Sequence, residues 1–154
     1  MASYTKLTYH VVFGTKYRAK SIRQQIREPL YQYIAHVIRD RSGHLIEIGG
    51  IEDHLHVLAN FSPTSSVSDM VRDIKANAAR WVNGLTETKN RLAWQKGFSA
   101  FTVSSSSITP VRAYILNQRE HHRTCTFEEE YTELLKRHQI EFDPRYLFEA
   151  EHRG

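Results

Sequence analysis

Apolar segments with strand-like and helix-like spacing follow one another in the order β-α-β-β-α-β, with two more helix signals behind them. That order predicts an α+β fold, the ferredoxin-like split βαβ arrangement, in which an antiparallel sheet carries helices on one face. Here it is extended by C-terminal helices. Length agrees: 154 residues with 40% hydrophobic content suit one ordinary core and are short for two. Residues 1–154 are therefore read as a single domain.

Leu7 to Phe13 is an apolar run rich in β-branched and aromatic residues, read as the first strand, with a basic exit at Lys16-Tyr17-Arg18. Leu30, Tyr33, Ile34, Val37 and Ile38 recur at helical spacing up to the Asp40-Arg41-Ser42-Gly43 turn. Pro29 suits a first turn, which makes Ser21 to Glu28 an irregular lead-in. His44 to Ile48 and Leu55 to Phe61 read as two strands around a Gly49-Gly50 turn. Ser66 with Asp69 caps the next helix, whose stripe is Val67, Met70, Ile74, Ala78 and Trp81 and whose stop is Gly84. A polar loop, Leu85 to Lys96, leads to a fourth strand, Phe98 to Val103, with Phe101 and Val103 on one face. Thr109-Pro110 opens a helix to about residue 123. Thr126 with Glu129 forms a second capping box for a helix to about residue 139.

Composition narrows the function classes. No apolar run approaches the ~18 residues a membrane helix needs, and Met1 to Lys6 lacks a signal peptide's apolar stretch. The single cysteine, Cys125, permits no internal disulfide and no cysteine-based zinc site, so a reducing cytoplasmic setting is expected. A net charge of +4 and a pI of about 9.3 favour a polyanionic partner.

The chemistry concentrates at two places. His54 and His56 are two apart on a strand, so both imidazoles leave one face while Leu55 leaves the other. Two imidazoles make a partial metal site, too small for structural zinc but suited to an exchangeable ion with open positions. Glu52 or Asp53 can orient an imidazole from behind. Tyr114 and Gln118 lie four apart on a helix and so share a face. Gln118 offers a carbonyl oxygen to a hard cation. A phenol, with a pKa of about 10, needs help to act as a nucleophile, and a nearby cation gives it.

Taken together, a paired-histidine strand, a further strand and a helix bearing Tyr-x-x-x-Gln resemble the HUH endonuclease superfamily. The closer resemblance is to the single-tyrosine transposases of small insertion sequences, which move as single-stranded DNA. It runs through Tyr9-His10-Val11-Val12-Phe13, Asp53-His54-Leu55-His56-Val57-Leu58, Trp94-Gln95-Lys96-Gly97-Phe98, and Tyr114-Ile115-Leu116-Asn117-Gln118 with Glu120-His121-His122. It implies that Tyr114 is the nucleophile. It further implies that His54, His56 and Gln118 hold Mg2+ or Mn2+, and that cleavage leaves a 5′-phosphotyrosine and a free 3′-hydroxyl. The implied partners are single-stranded DNA with hairpin ends and a second copy of the chain. In such a homodimer the tyrosine helix can dock against the other subunit's histidines, with Ser104 to Ser107 as the hinge. Lys16, Arg18, Arg72, Lys75 and Arg80 are the expected DNA contacts, since cations that neutralise phosphates give salt-dependent affinity. The other seven histidines receive no role.

Two rival readings compete. A histidine-triad hydrolase needs a third histidine at position 58, where Leu58 stands. A noncatalytic RNA- or DNA-binding module of the same fold needs exposed sheet aromatics, and His54 to Leu58 offers none.

Overall fold

The computed structural model describes residues 2–85 and 91–148. Four strands, β1 (Thr8–Gly14), β2 (His44–Ile51), β3 (His54–Asn60) and β4 (Ser99–Thr102), form one antiparallel sheet in the order β2-β3-β1-β4. The split βαβ order expected from sequence is thus present. Helices α1 (Gln24–Asp40) and α2 (Val67–Leu85) cover one face. Their Leu30, Ile34, Met70 and Ile74 pack on Val11, Phe13, Leu55 and Val57. Those strand residues alternate with His10, Val12, His54 and His56, which belong to the opposite face. There Val12 and Phe101 form a second, smaller core with Phe127, Tyr131, Leu134 and Leu135. These last four come from α5 (Phe127–Arg137), which the Thr126–Glu129 capping box starts as expected. Between β4 and α5 run α3 (Ile108–Leu116) and the short α4 (Gln118–His121).

Four local expectations need correction. The β2–β3 turn is Glu52-Asp53, and Gly49-Gly50 lies inside β2. Gly49 is small for a different reason: a Cβ there would sit 2.4 Å from the Ile115 carbonyl oxygen, so its absence lets α3 lie directly on the sheet. Pro29 is inside α1, not in its first turn. Its missing N–H costs the helix one hydrogen bond, and buried Leu30, Ile34, Val37 and Ile38 hold the turns that follow it on the sheet. The tyrosine helix is not continuous; it breaks at Asn117, between Tyr114 and Gln118, and begins at Ile108. Of the expected loop Leu85 to Lys96, residues 86–90 lie outside the described part. Trp94 bridges to Thr15, extending the sheet beyond β1.

Candidate active site

β3 delivers His54 and His56 to the second face, and both are fully buried there. Each imidazole is tied at Nδ1 and aims Nε2 inward. Asp53 Oδ1 lies 2.7 Å from His54 Nδ1, so Asp53 is the orienting acid; Glu52 instead pairs with Arg119 at 2.8 Å. His10 Nε2, from β1, holds His56 Nδ1 at 2.8 Å. A third imidazole arrives from behind α4, where His122 Nδ1 donates to the Cys125 carbonyl at 2.7 Å. The three Nε2 atoms converge on one carboxylate oxygen, Glu130 Oε1, at 3.2 Å from His54 and 3.0 Å from both His56 and His122. Glu130 comes from the first turn of α5 and is 2% exposed.

Tyr114 and Gln118 reach the same carboxylate despite the break between them. The Tyr114 hydroxyl donates to Glu130 Oε2, and so does Gln118 Nε2, at 3.0 Å. Gln118 Oε1 lies 2.8 Å from His54 Nε2. All of the sequence-expected chemical residues therefore meet, and they meet within one chain.

The electrostatics follow from that packing. Burial opposes charge on His54, but hydrogen bonds to Asp53 and Glu130 override it and hold the imidazole up at about 9. Burial pushes His56 down, and burial with the neighbouring His56 drives His10 to about 3. Burial also works against the Glu130 carboxylate, yet His122, His54 and His56 keep it far below the usual carboxylate range. Tyr114 is pushed well above an ordinary phenol by burial and then by the Glu130 charge. The centre is thus an anionic carboxylate among imidazoles, with a protonated phenol at its edge.

Those donors fit a divalent cation. His54, His122 and Glu130 each offer a ligand atom within 4.8 Å of the others. Fixing each Nδ1 so that each Nε2 is aimed at one point is what outer-sphere partners do for metal-ligating histidines. Sequence reading missed Glu130, His122 and His10. Glu120-His121-His122 formed part of the resemblance, but nothing in the spacing tied His122 or Glu130 to a strand more than sixty residues earlier.

The five expected DNA-contacting cations scatter. Arg72 and Lys75 line a groove along α2 with Lys96, Trp94 and Phe98, on the sheet face opposite the histidines. Lys75 is engaged internally: its ammonium donates to the Gln95 and Gly97 carbonyls at 2.8 Å each, and burial lowers it to about 8. Arg72 lies 3.1 Å from Asp69, and Arg80 donates to Asn77 at 3.2 Å. Arg18 rests 4.7 Å over the Phe148 ring and 3.4 Å from Glu128. Lys16 is exposed beside Tyr17.

A buried histidine pair on the sheet, faced by a helix with one tyrosine, defines a single-tyrosine HUH transposase, a DNA-cleaving enzyme. The family model "Transposase IS200 like" matches residues 3–118, and the chain belongs to that family. It is 23% identical over 120 residues to the ISDra2 transposase TnpA of Deinococcus radiodurans, covering 75% of this chain and 86% of that one. It is 24% identical over 117 residues to the transposase for insertion sequence element IS200 of Salmonella typhimurium, covering 73% and 76%. A putative transposase from Deinococcus radiodurans shares the fold with a TM-score of 0.62 at 22% identity, over 77% of this chain and 95% of that one. A REP-associated tyrosine transposase bound to a REP hairpin does so with 0.55 at 19%, over 75% and 70%. The family match ends at Gln118, so His122 and Glu130 lie beyond it.

No helix among the described residues is long and apolar enough to cross a membrane.

Proposed function

We propose that the chain cuts and rejoins single-stranded DNA at hairpin-marked ends, with Tyr114 as the nucleophile and a 5′-phosphotyrosine as the intermediate. The observation that carries this is the convergence of three oriented Nε2 atoms on a carboxylate that also holds the Tyr114 hydroxyl. His54, His56 and Gln118 would hold Mg2+ or Mn2+, with Glu130 and His122 within reach as further donors. Such an ion supplies positive charge that polarises a phosphate oxygen and offsets a phenolate. Glu130 fixes the hydroxyl's direction, Asp53 and His10 fix the imidazoles, and Gln118 links His54 to Glu130.

Attack by the phenol oxygen on phosphorus breaks the bond to the 3′-oxygen, which leaves as a hydroxyl once it has taken up the proton the phenol loses, and the phosphate stays on Tyr114. Reverse attack by a 3′-hydroxyl restores the diester without an external energy source. Hairpin ends are supported by the structurally similar transposase bound to a REP hairpin, and exposed Arg72 and Lys96 in the groove along α2 are the cations placed to meet a duplex stem. A homodimer joined at a sheet edge remains part of the reading. Because Tyr114 meets its own chain's histidines, exchange of the tyrosine helix between subunits is not required for a complete site. The setting would be the bacterial or archaeal cytoplasm, with action at the nucleoid.

The test is incubation with single-stranded oligonucleotides and Mn2+. A protein–DNA adduct that survives denaturation and disappears in Tyr114→Phe supports the reading. DNA fragments released with no attached protein point to a hydrolase, and a shift without an adduct points to a binding module.

A further inference from the structure

Histidines 54 and 56 and Glu130 are sealed beneath α3 to α5, so a DNA strand meets the site first at Tyr114. Two hollows border that side chain. One is lined by Pro110, Ala113, Leu116, Asn117 and His121, and holds neither a stacked aromatic pair nor a guanidinium. The other, of about 500 Å³, lies between β4, α3 and the end of α5. That volume falls within the range of about 300–1,000 Å³ typical of small-molecule sites.

The second hollow has the parts that grip one nucleotide. The exposed His138 ring stacks on buried Phe101 with centroids 4.0 Å apart and planes at 11°, so Phe101 backs it and its outer face is the aromatic platform on the wall. Every base has a π-face, so such a platform accepts bases with little sequence preference. Arg137 stands beside it on the last turn of α5 and has no carboxylate partner among the described residues. Eight of the other twelve described arginines pair with a carboxylate, and Arg137 differs from the remaining four in lining the hollow with Tyr114; guanidinium forks match phosphate oxygens. Exposed Thr102, at the end of β4, adds a hydroxyl.

We infer that this cavity is a nucleotide subsite: it takes the base next to the scissile phosphate onto the Phe101–His138 platform, while Arg137 holds a neighbouring phosphate. The inference rests on the single-stranded DNA reading above and adds where the strand is held. It also explains why the hollow is built from α5, the same helix that supplies Glu130, since one helix then sets both the base and the chemistry.

The probe is a random-sequence single-stranded 20-mer pool carrying 5-iodouracil in place of thymine, photocrosslinked to Tyr114→Phe protein so that no adduct competes. Crosslinks mapping to peptides with Phe101 or His138 are expected. Arg137→Ala and His138→Ala, both on the surface, should each weaken binding of the pool about tenfold. Val111→Trp, which fills the cavity from α3, should weaken it similarly. Crosslinks confined to Trp94 or Phe98, or unchanged affinity in all three variants, overturn the subsite. If the wild type still forms its adduct in that case, only the subsite has failed. No adduct with any oligonucleotide sinks the underlying reading, and no binding at all sinks both.

Discussion

Replacing Glu130 by glutamine leaves the side chain's shape and removes its charge, which separates packing from chemistry. In the folded chain its carboxylate takes hydrogen bonds from His56, Gln118 and Tyr114 and lies against the Nε2 atoms of His54 and His122. An amide turns one acceptor into a donor facing donors. His54 is held up at about 9 by Asp53 and Glu130 together. Against an ordinary value of about 6.5, at about 1.4 kcal/mol per pH unit, the two carboxylates outweigh the opposing burial by about 3 kcal/mol. Breaking one side of a buried pair costs about 3–5 kcal/mol, and His54 can shed its proton, which keeps the loss near the lower figure. For a chain of this size that is a fall in Tm of about 6–12 °C.

The sign with pH is fixed. A raised histidine stabilises fully below about 6.5 and loses that contribution as pH rises through about 9. Calorimetry of the metal-free proteins at pH 6 should therefore show the full difference, narrowing toward pH 9. Titration calorimetry with Mn2+ should show affinity reduced by at least about 10–100-fold, the range for an outer-sphere partner alone. Equal Tm at pH 6 together with equal Mn2+ affinity would refute the assignment of Glu130 to the centre.

Four further variants have expected outcomes. Gly49→Ala places a methyl against the Ile115 carbonyl, so it should cost about 1–3 kcal/mol. It should also displace Tyr114 enough to slow adduct formation by about 100-fold; an adduct rate that tracks folding alone contradicts this. Lys75→Ala should lower stability by about 1–3 kcal/mol through its two lost carbonyl contacts while leaving the salt dependence of DNA binding unchanged. Arg72→Ala should do the opposite, reducing the salt slope by about one; filter binding across salt concentrations decides between them. Because His10 is driven to about 3, the folded chain refuses a proton that the unfolded chain takes up. Stability should thus fall as pH drops below about 6.5, by up to about 1.4 kcal/mol per pH unit, and His10→Gln should flatten that slope in urea titrations.

What could be read without coordinates was what is local. The two-residue period put His54 and His56 on one face, and Ser66–Asp69 and Thr126–Glu129 marked helix starts that the structure retains. Asp53 was legible as an orienting acid because it adjoins His54. Glu130 and His122 were not, since their meeting with β3 depends on how α5 folds back across the sheet. Gly49 was misread because glycine signals a turn and a close backbone approach equally well. Lys75 looked like a surface cation because nothing in a helix stripe reveals that a later loop will offer it two carbonyls. The Asn117 break was hidden as well, since the Tyr114 and Gln118 spacing fits an unbroken helix.

Anomalous diffraction from crystals grown with Mn2+ addresses the centre itself. One peak coordinated by His54 and His56 through Nε2, with the same chain's Tyr114 hydroxyl beside it, is the result expected. A peak elsewhere, or a centre completed only by the tyrosine of a second copy, contradicts the account.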